Sequence, residues 1–288
     1  MTDLAADLGG DFQAEAQRAA ARRKYRATLA YFVLALFVVG SLAPFLYLVS
    51  PAFRDEVQLF SWPPQAFFGN FEFLFEHTKY WRWALNTFVF ASATTLIHLF
   101  IASLAGFAFA KMRFPGRTIL FFFILATLMV PLSALLAPLY LTVKEFGLLN
   151  TYWGLILPMA VSPLGVFMMR QFISTLPDGI YEAARLDGAS DWHVYRRMVL
   201  PLIKPALVVL GIFVFMTQWV NFLWPLVVTT NDEMRTLTVG VAGLQGQFVT
   251  NWGVIAAGSL MTMVPITIVF LIFQRWFVRA SLAGALKG

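Results

Sequence analysis

Long uncharged apolar runs alternate with short charged segments along most of the chain. Crossing the roughly 30 Å hydrocarbon core of a bilayer takes about 20 residues of helix, and an ionised side chain at its centre costs about 2.5–3.5 kcal/mol on insertion scales. Uncharged runs of this length therefore predict membrane-spanning helices. Six runs contain no Asp, Glu, Lys or Arg: residues 31–49, 84–110, 119–143, 152–169, 206–228 and 254–273.

The runs are too long and too uniformly apolar for a transmembrane β-barrel, whose strands alternate over about ten residues. Composition agrees, because 59% of the residues are hydrophobic and 12% are charged, against about 45–50% and about 25% in soluble domains. We therefore predict an all-α integral membrane protein with six transmembrane helices. Prolines inside the runs predict broken or bent helices beside a pathway; they are Pro44, Pro131, Pro138, Pro158, Pro163, Pro225 and Pro265.

Basic residues predict the orientation, because Lys and Arg in short flanking segments stay on the cytoplasmic side. Placing both termini, the connection 111–117 and the segment 170–204 on one side puts sixteen of the 21 basic residues there and five on the other. The acidic residues divide almost evenly. Both termini are therefore predicted to be cytoplasmic.

Tryptophans near the outer ends of the runs predict an interfacial belt: Trp62, Trp81, Trp83, Trp153, Trp224 and Trp252. The net charge of +6 is dispersed at membrane boundaries, which favours contact with anionic lipid over binding of nucleic acid.

The chain divides into a predicted cytoplasmic tail, residues 1–28, and a transmembrane domain, residues 29–288. Residues 13–26 suit either a helix on the membrane surface or a weakly ordered tail. The first apolar run follows a long mixed-charge segment, so we interpret it as a retained helix and not a cleaved signal. The connection 51–82 suits an outer loop with a short interfacial helix, and residues 111–117 suit a tight turn.

A charged segment within 170–204 interrupts the apolar runs, and its residue types predict a helix, a turn and a second helix outside the bilayer. Ser174 or Thr175 can cap the first helix, and Gly188 can end it in the left-handed conformation. Ser190 and Asp191 can then cap the second helix, before Pro201 breaks it. Small alanines between charges suit docking into another protein, while a solvated connector explains the same charges equally well.

The sequence EAARLDGA (residues 182–189), followed after nine residues by VLP (199–201), resembles the EAA signature of permeases of binding-protein-dependent ABC importers. Val199 stands where Ile is commoner. Further segments resemble the carbohydrate-uptake branch, and specifically the smaller permease subunit of maltose-type systems: NTFVFASATT, FAFAKMRFPGR, QWVNFLWPL and SLAGALKG.

This resemblance implies a type I ABC importer permease fold, a second homologous permease, two ATP-binding subunits and an extracytoplasmic solute-binding protein. It also implies a place in the plasma (inner) membrane of a bacterium or archaeon. The loop 229–252 resembles the segment that reaches toward the binding protein. In that family the matching segment is the coupling helix that binds the ATPase. The residue at the position of Glu182 lies at this contact, and the position of Gly188 forms the turn. We assign ATPase coupling to Glu182, Ala183, Ala184, Arg185, Asp187, Gly188, Ala189, Tyr195, Leu200 and Pro201.

The sequence contains no motif for binding and hydrolysing ATP. It contains no G-x-x-x-x-G-K-[ST] phosphate-binding loop, so we expect ATP to be bound by partner subunits. It contains no cysteine, which excludes thiolate catalysis and Cys-based metal sites. We expect no catalytic residue, no metal and no cofactor in this chain. The three histidines, His77, His98 and His193, are predicted to lie apart, which disfavours a membrane-embedded enzyme.

Two transport alternatives remain at this stage. A proton-coupled transporter usually has carboxylates within its spans, and these runs have none. A passive channel would leave the charged segment unexplained.

Polar side chains in a membrane helix tend to face the bundle interior or a cavity. His98, Gln218 and Asn221 are therefore candidates for the substrate pathway, with Trp219 and Trp224 able to stack on sugar rings. Hydrogen bonding between helices is the plainer explanation for each polar residue. The sequence predicts a carbohydrate importer without naming the sugar.

Overall fold

The computed structural model describes residues 2–54, 67–245 and 251–285, with side chains for 23–54, 67–179, 181–245 and 251–274. These ranges are helical and contain no strand. The helices in chain order are α1 Thr2–Ala52, α2 Gly69–His77, α3 Tyr80–Lys111, α4 Arg117–Ala126, α5 Leu132–Glu145, α6 Tyr152–Ile156, α7 Pro163–Ser174, α8 Asp178–Leu186, α9 Asp191–Val194, α10 Leu200–Leu202, α11 Lys204–Trp219, α12 Leu223–Val228, α13 Leu237–Ala242 and α14 Trp252–Ala285.

Within the described ranges, parts of α1, α3 and α14 are each long and apolar enough to cross a membrane. Three further candidates are bent pairs rather than single helices. The α4 and α5 segments meet at 101°, the α6 and α7 segments at 49°, and the segment 191–202 meets α11 at 76°. The described part of the chain therefore has three to six possible crossings, depending on whether each bent pair is one span.

Prolines accompany two of the breaks, in line with the bent helices that the sequence predicted. Pro131 and Pro163 follow residues with extended backbones, Val130 and Ser162, because the proline ring disfavours the helical conformation of the residue before it. The run 206–228 divides after Trp219 and resumes as α12. By contrast Pro44, Pro138 and Pro265 lie inside helices that continue past them.

Helix α3 is the centre of the bundle, packing mainly on α7 and α11. Two glycines allow α3 and α7 to approach closely. A Cβ on Gly106 would lie 2.6 Å from the Cβ of Met169, and a Cβ on Gly165 would lie 2.1 Å from Nε2 of His98. Small residues at helix crossings let the backbones come together where no water is released to drive association.

Helix α1 packs on α14 and exposes its apolar side chains from residue 23 to residue 47. It runs without a break from Thr2, so residues 13–26 form part of this long helix and not a separate one. The proposed domain boundary at residue 28 falls inside it and stays a prediction.

The connection 51–82 contains the short helix α2 that the sequence predicted, and its position on the outer side stays a prediction. Residues 55–66, which include Trp62, lie outside the described residues. Asn70 in α2 donates hydrogen bonds to the carbonyls of Ala52 and Arg54 at 3.1 and 2.8 Å. Burial removes two members of the expected tryptophan belt, and the belt stays a prediction for the exposed ones. Trp81, Trp153 and Trp252 are exposed, whereas Trp83 and Trp224 are buried in the protein core and so cannot lie at a lipid interface.

Candidate functional site

The charged segment forms the predicted helix, turn and helix. Helix α8 begins at Asp178, directly after Pro177, whose backbone is not helical, with ψ at 130°. Neither Ser174 nor Thr175 caps it, because α7 extends to Ser174 and the Thr175 hydroxyl donates to the carbonyl of Phe172 at 2.8 Å. That capping prediction was wrong, since the previous helix occupies these residues.

Gly188 ends α8 as predicted, with φ at +76°. This left-handed conformation costs a residue with a Cβ about 1–2 kcal/mol, and glycine avoids the cost. The amide of Ala189 donates to the carbonyl of Ala184 at 2.9 Å, which satisfies one of the last carbonyls of the helix and is typical of a Schellman ending.

The second helix begins with a side-chain cap, because the Ser190 hydroxyl accepts from the amide of His193 at 3.3 Å. Asp191 accepts instead from the hydroxyl of Tyr181 at 2.7 Å, which joins the two helices. Residues 195–199 then adopt a π-helix, and α10 ends near Ile203, where the chain turns into α11. Such π-helical turns are frequent at functional sites. We call residues 178–202 the coupling segment.

One face of the coupling segment points away from the protein. Glu182, Ala183, Arg185, Asp187, Gly188 and Pro201 are exposed, Ala189 and Leu200 partly so. Leu186, which the sequence interpretation passed over, is 89% exposed. Ala184 is only 2% exposed and Tyr195 is buried beside it. Ala184 is therefore not part of the exposed surface expected at the two alanines, and Tyr195 packs inside the subunit. The ATPase-coupling role of the whole set stays a prediction.

A lysine fastens the first helix of the coupling segment to α3. Nζ of Lys111, at the end of α3, donates to Oδ1 of Asp178 at 2.5 Å and to the carbonyl of Leu176 at 2.7 Å. The Lys111 side chain is 5% exposed. Its hydrogen bond, followed by its charge, lowers the pKa of Asp178, and the nearby charge of Arg113 adds to the effect.

A buried hydrogen bond fastens the second helix to the same α3 helix. The hydroxyls of Tyr195 and Ser103 lie 2.8 Å apart, in a cluster that also contains Phe107, Tyr181 and Ala184. The Phe107 ring contacts both tyrosine rings, with centroids 6.1 Å from Tyr181 and 5.6 Å from Tyr195. Burial and the hydrogen bond to Asp191 raise the pKa of Tyr181. The coupling segment and α3 are therefore packed as one unit.

At the opposite end of α3, residues 229–237 form a strap across the helix. Asn86 donates to the carbonyls of Glu233 and Arg235 at 2.8 and 2.9 Å, and it accepts from the hydroxyl of Tyr152 at 2.7 Å. Lys79 pairs with Glu233 at 2.6 Å. The first half of the loop expected to reach outward is thus held against α3, while residues 246–250 lie outside the described part.

His98 lies at the crossing of α3 and α7 and is 2% exposed. Its ring interacts with the backbone of Ala160, and Nε2 has no hydrogen-bond partner among the described residues. A cavity of about 80 Å³ adjoins it and is also lined by Ser162, Thr217 and Gln218. The cavity can hold water.

Gln218 and Asn221 lie at the break between α11 and α12, where both are half-buried. The Asn221 side chain donates to Oε1 of Gln218 at 3.0 Å, and the Asn221 carbonyl accepts from Thr238 at 2.9 Å. A broken helix beside polar groups suits a pathway. His98 reaches this region through the small cavity, so the structure brings the three polar candidates near one another.

The two tryptophan candidates do not fit the expected stacking on sugars. Trp219 is buried and donates to the carbonyl of Thr262 at 3.1 Å. Trp224 is fully buried and donates to the carbonyls of Gly154 and Leu155, each at 3.2 Å. Both rings pack between helices, and each N–H has the carbonyl acceptor that a buried indole requires.

The contacts that fasten the coupling segment were missed by sequence reasoning, although Tyr195 was already assigned to the segment. Ser103 and Tyr195 are 92 residues apart, and Lys111 and Asp178 are 67 apart. Their pairing depends on the fold and leaves no local pattern. A basic residue ending an apolar run signals a membrane boundary, but it does not name its partner.

Comparison with known proteins agrees with this architecture. Residues 98–281 match the family described as binding-protein-dependent transport system inner membrane component. The arabinooligosaccharides transport system permease protein AraQ of Halalkalibacterium halodurans is 35% identical over 263 residues, which cover 91% of this chain and 93% of that protein. The sn-glycerol-3-phosphate transport system permease protein UgpE of Shigella flexneri is 37% identical over 202 residues, covering 69% and 72% respectively.

Solved structures share the fold. A chain of a bacterial ABC transporter involved in the import of the acidic polysaccharide alginate matches with a TM-score of 0.78 at 22% identity, covering 88% of this chain and 97% of that one. The predicted fold of a type I ABC importer permease is thereby confirmed. The family and these relatives are transport components, which makes this chain a permease subunit and not an enzyme. The chain belongs to the family of inner-membrane components of binding-protein-dependent transport systems.

Proposed function

We propose that this permease subunit forms half of the pathway of an ATP-driven importer for a carbohydrate: a sugar, an oligosaccharide or a polyol phosphate. The named relatives support this class, since one is an arabinooligosaccharide permease and another a glycerol-3-phosphate permease. Membership in the family favours an importer over the proton-coupled transporter, the passive channel and the membrane-embedded enzyme.

The observation that carries the proposal is the attachment of the coupling segment to α3. A partner can change the conformation of a permease only if it contacts the two conformations differently. Motion imposed on the exposed Glu182 face would pass through the Lys111–Asp178 and Ser103–Tyr195 contacts to α3. This helix extends to the opposite end of the bundle, where the strap is bonded to Asn86. ATP binding in a partner can thus act on the outer end of the pathway.

The complete importer, in this proposal, has a second homologous permease, two ATP-binding subunits and an extracytoplasmic solute-binding protein. A solved alginate transporter is in complex with a periplasmic protein that carries an alginate pentasaccharide. Its chain matches with a TM-score of 0.65 at 16% identity, over 86% of this chain and 93% of that one.

In the proposed topology, both termini and the coupling segment face the cytoplasm. Residues 29–288 form the permease domain, and the chain itself binds no cofactor.

The substrate pathway runs beside the break between α11 and α12. Gln218 and Asn221 supply amide groups there, and the nearby Thr217, Val220 and Phe222 are exposed on this isolated chain. Amides and an exposed aromatic edge suit the hydroxyls and the apolar faces of a carbohydrate. His98 supports this region from the adjoining cavity.

Reconstitution tests the proposal directly. The complex is assembled in vesicles with the binding protein and a labelled oligosaccharide outside and ATP inside. Uptake is expected only with ATP present. Replacing Glu182 by lysine should lower uptake about tenfold or more and weaken recovery of the ATP-binding subunit, because a charge reversed in a docking contact costs several kcal/mol.

The matched control reverses a charge outside the coupling segment, with Glu76→Lys. This exposed residue of α2 should leave uptake and subunit recovery unchanged. Uptake without ATP would refute the proposed importer. Normal uptake and normal recovery of the ATP-binding subunit in Glu182→Lys would refute the proposed docking surface.

A further inference from the structure

A pocket of about 640 Å³ lies beside the coupling segment, between the turn joining α3 to α4 and helix α8. We call it the basic pocket. Four of its lining residues are basic and two are acidic: Lys111, Arg113, Arg117, Arg185, Asp178 and Glu182. The lining therefore has an excess of positive charge, which attracts anions.

Two arginines of the basic pocket keep most of their donors available. Lys111 is taken up by Asp178 and the carbonyl of Leu176. Arg117 uses one nitrogen, Nη1, to donate to the carbonyl of Met112 at 3.0 Å. Arg113 is exposed and makes no hydrogen bond or salt bridge with the described residues. A guanidinium presents five donors in a planar fork that suits phosphate, so Arg113 and Arg117 are equipped to bind one.

The position of the basic pocket along the bundle indicates the source of the phosphate. Apolar α3 ends at Lys111, and α4 begins at Arg117, so the two helix ends lie at the membrane boundary. From there α4 presents an apolar stripe of Ile119, Phe122 and Phe123, each more than 60% exposed. A basic cluster at the end of an apolar stripe matches a phospholipid in both charge and shape.

We propose that the basic pocket binds the headgroup phosphate of an anionic phospholipid, whose acyl chains lie along the exposed stripe of α4. An acidic side chain of an ATP-binding subunit would also suit the charge. That occupant would leave the adjoining apolar stripe unexplained, whereas a phospholipid accounts for both features. The inference is independent of which solute the importer carries. It links the lipid to function, because the bound headgroup would touch Arg185 on the coupling segment.

Native mass spectrometry of the full chain, purified in detergent and mixed with phosphatidylglycerol or phosphatidylcholine, tests the inference. The unaltered chain should retain phosphatidylglycerol in preference to phosphatidylcholine. Each arginine near a lipid surface contributes about fivefold to such binding. Retention should therefore fall about fivefold in Arg113→Gln and about 25-fold when Arg117→Gln is added. The single variant removes no hydrogen bond within the described chain, so it should fold normally.

The matched control is Arg196→Gln with Arg197→Gln, which removes the same charge from exposed positions of the coupling segment outside the basic pocket. It should retain phosphatidylglycerol as the unaltered chain does. Equal retention of the two lipids, or equal loss in the control, would overturn the inference. A second measurement is recovery of the ATP-binding subunit in detergent without lipid. If the Arg113 variant retains lipid normally in the first assay but loses the ATP-binding subunit in the second, the inference is overturned, because the basic pocket would then belong to the interface with that subunit. Displacement of the lipid by inorganic phosphate at low millimolar concentration would likewise show a site for free anions.

Discussion

Replacing Ser103 by alanine should destabilise the protein more than replacing Tyr195 by phenylalanine, although both changes remove the same hydrogen bond. The two hydroxyls lie 2.8 Å apart in a buried cluster. Ser103 also donates to the carbonyl of Phe100 at 3.0 Å, so its only proton is used there and Tyr195 must be the donor between the pair. Each substitution therefore leaves a different group behind.

The magnitudes follow from what stays buried. In Tyr195→Phe, the serine keeps its bond to Phe100 and no donor is orphaned, so the cost is one net hydrogen bond, about 0.5–1.5 kcal/mol. In Ser103→Ala, the tyrosine hydroxyl stays buried without an acceptor, which costs about 1–3 kcal/mol. The double variant removes the orphaned donor and should be more stable than Ser103→Ala alone. Bonds between membrane helices average about 0.6 kcal/mol, so values near the lower ends are expected.

The assay is unfolding of the purified chain in mixed micelles by a rising fraction of denaturing detergent, followed by tryptophan fluorescence. Ser133→Ala, at an exposed position of α5, is the control and should change the free energy of unfolding by less than about 0.5 kcal/mol. The reasoning is refuted if Tyr195→Phe is the more damaging change. It is also refuted if the double variant is less stable than Ser103→Ala, because no orphaned donor would then have been relieved.

Two further predictions concern other contacts. Gly165→Ala should lower the free energy of unfolding by about 1–3 kcal/mol, because the added Cβ would lie 2.1 Å from Nε2 of His98. The control is Gly40→Ala, whose Cβ meets nothing within 4 Å and should not lower it. The micelle assay compares the two variants, and equal effects would contradict this packing of α3 on α7. The hydrogen bond and charge of Lys79 lower the pKa of Glu233, whose ordinary value is 4.5, and Glu233 in turn raises that of Lys79. The contribution of this exposed pair is therefore present above about pH 4.5 and lost as the pH falls through the lowered value. The small difference in free energy of unfolding between the unaltered chain and Glu233→Gln should be constant from pH 6 to 9 and should shrink in acid. A difference that grows below pH 4 would disprove the ion pair between Lys79 and Glu233.

Local features were predictable because their causes lie within a few residues. Gly188 ends α8 through its own backbone freedom, and Ser190 caps the next helix with its own hydroxyl. The apolar runs around α1, α3 and α14 likewise predicted helices long enough to cross a membrane. The prolines predicted bent helices, but the sequence did not show which prolines end a helix. Pro131 lies at the 101° bend between α4 and α5, whereas Pro138 lies inside α5.

Burial separated residues that the sequence had treated alike. Ala183 and Ala184 are identical neighbours in the motif, yet one is exposed and the other packs under Tyr181 and Tyr195. Trp224 had two predicted roles, at the interface and on a sugar, and it fills neither because it is fully buried. A helix turns its faces by 100° per residue, so adjacent residues reach different surroundings, and only the packing partner decides which face is covered.

The amino-acid sequence by itself determined an all-α membrane protein, because its uncharged runs match the thickness of a bilayer. Its contiguous EAA segment, through resemblance to a known signature, pointed to a permease. The tertiary structure alone decided how that motif is attached. Contacts such as Ser103 with Tyr195 and Lys111 with Asp178 join residues far apart in the chain, and their free energy exists only once α3, α7 and α11 have packed together. The physical reason is distance: local conformation follows from neighbouring atoms, whereas a path for transmitting motion requires elements that the chain brings together only by folding.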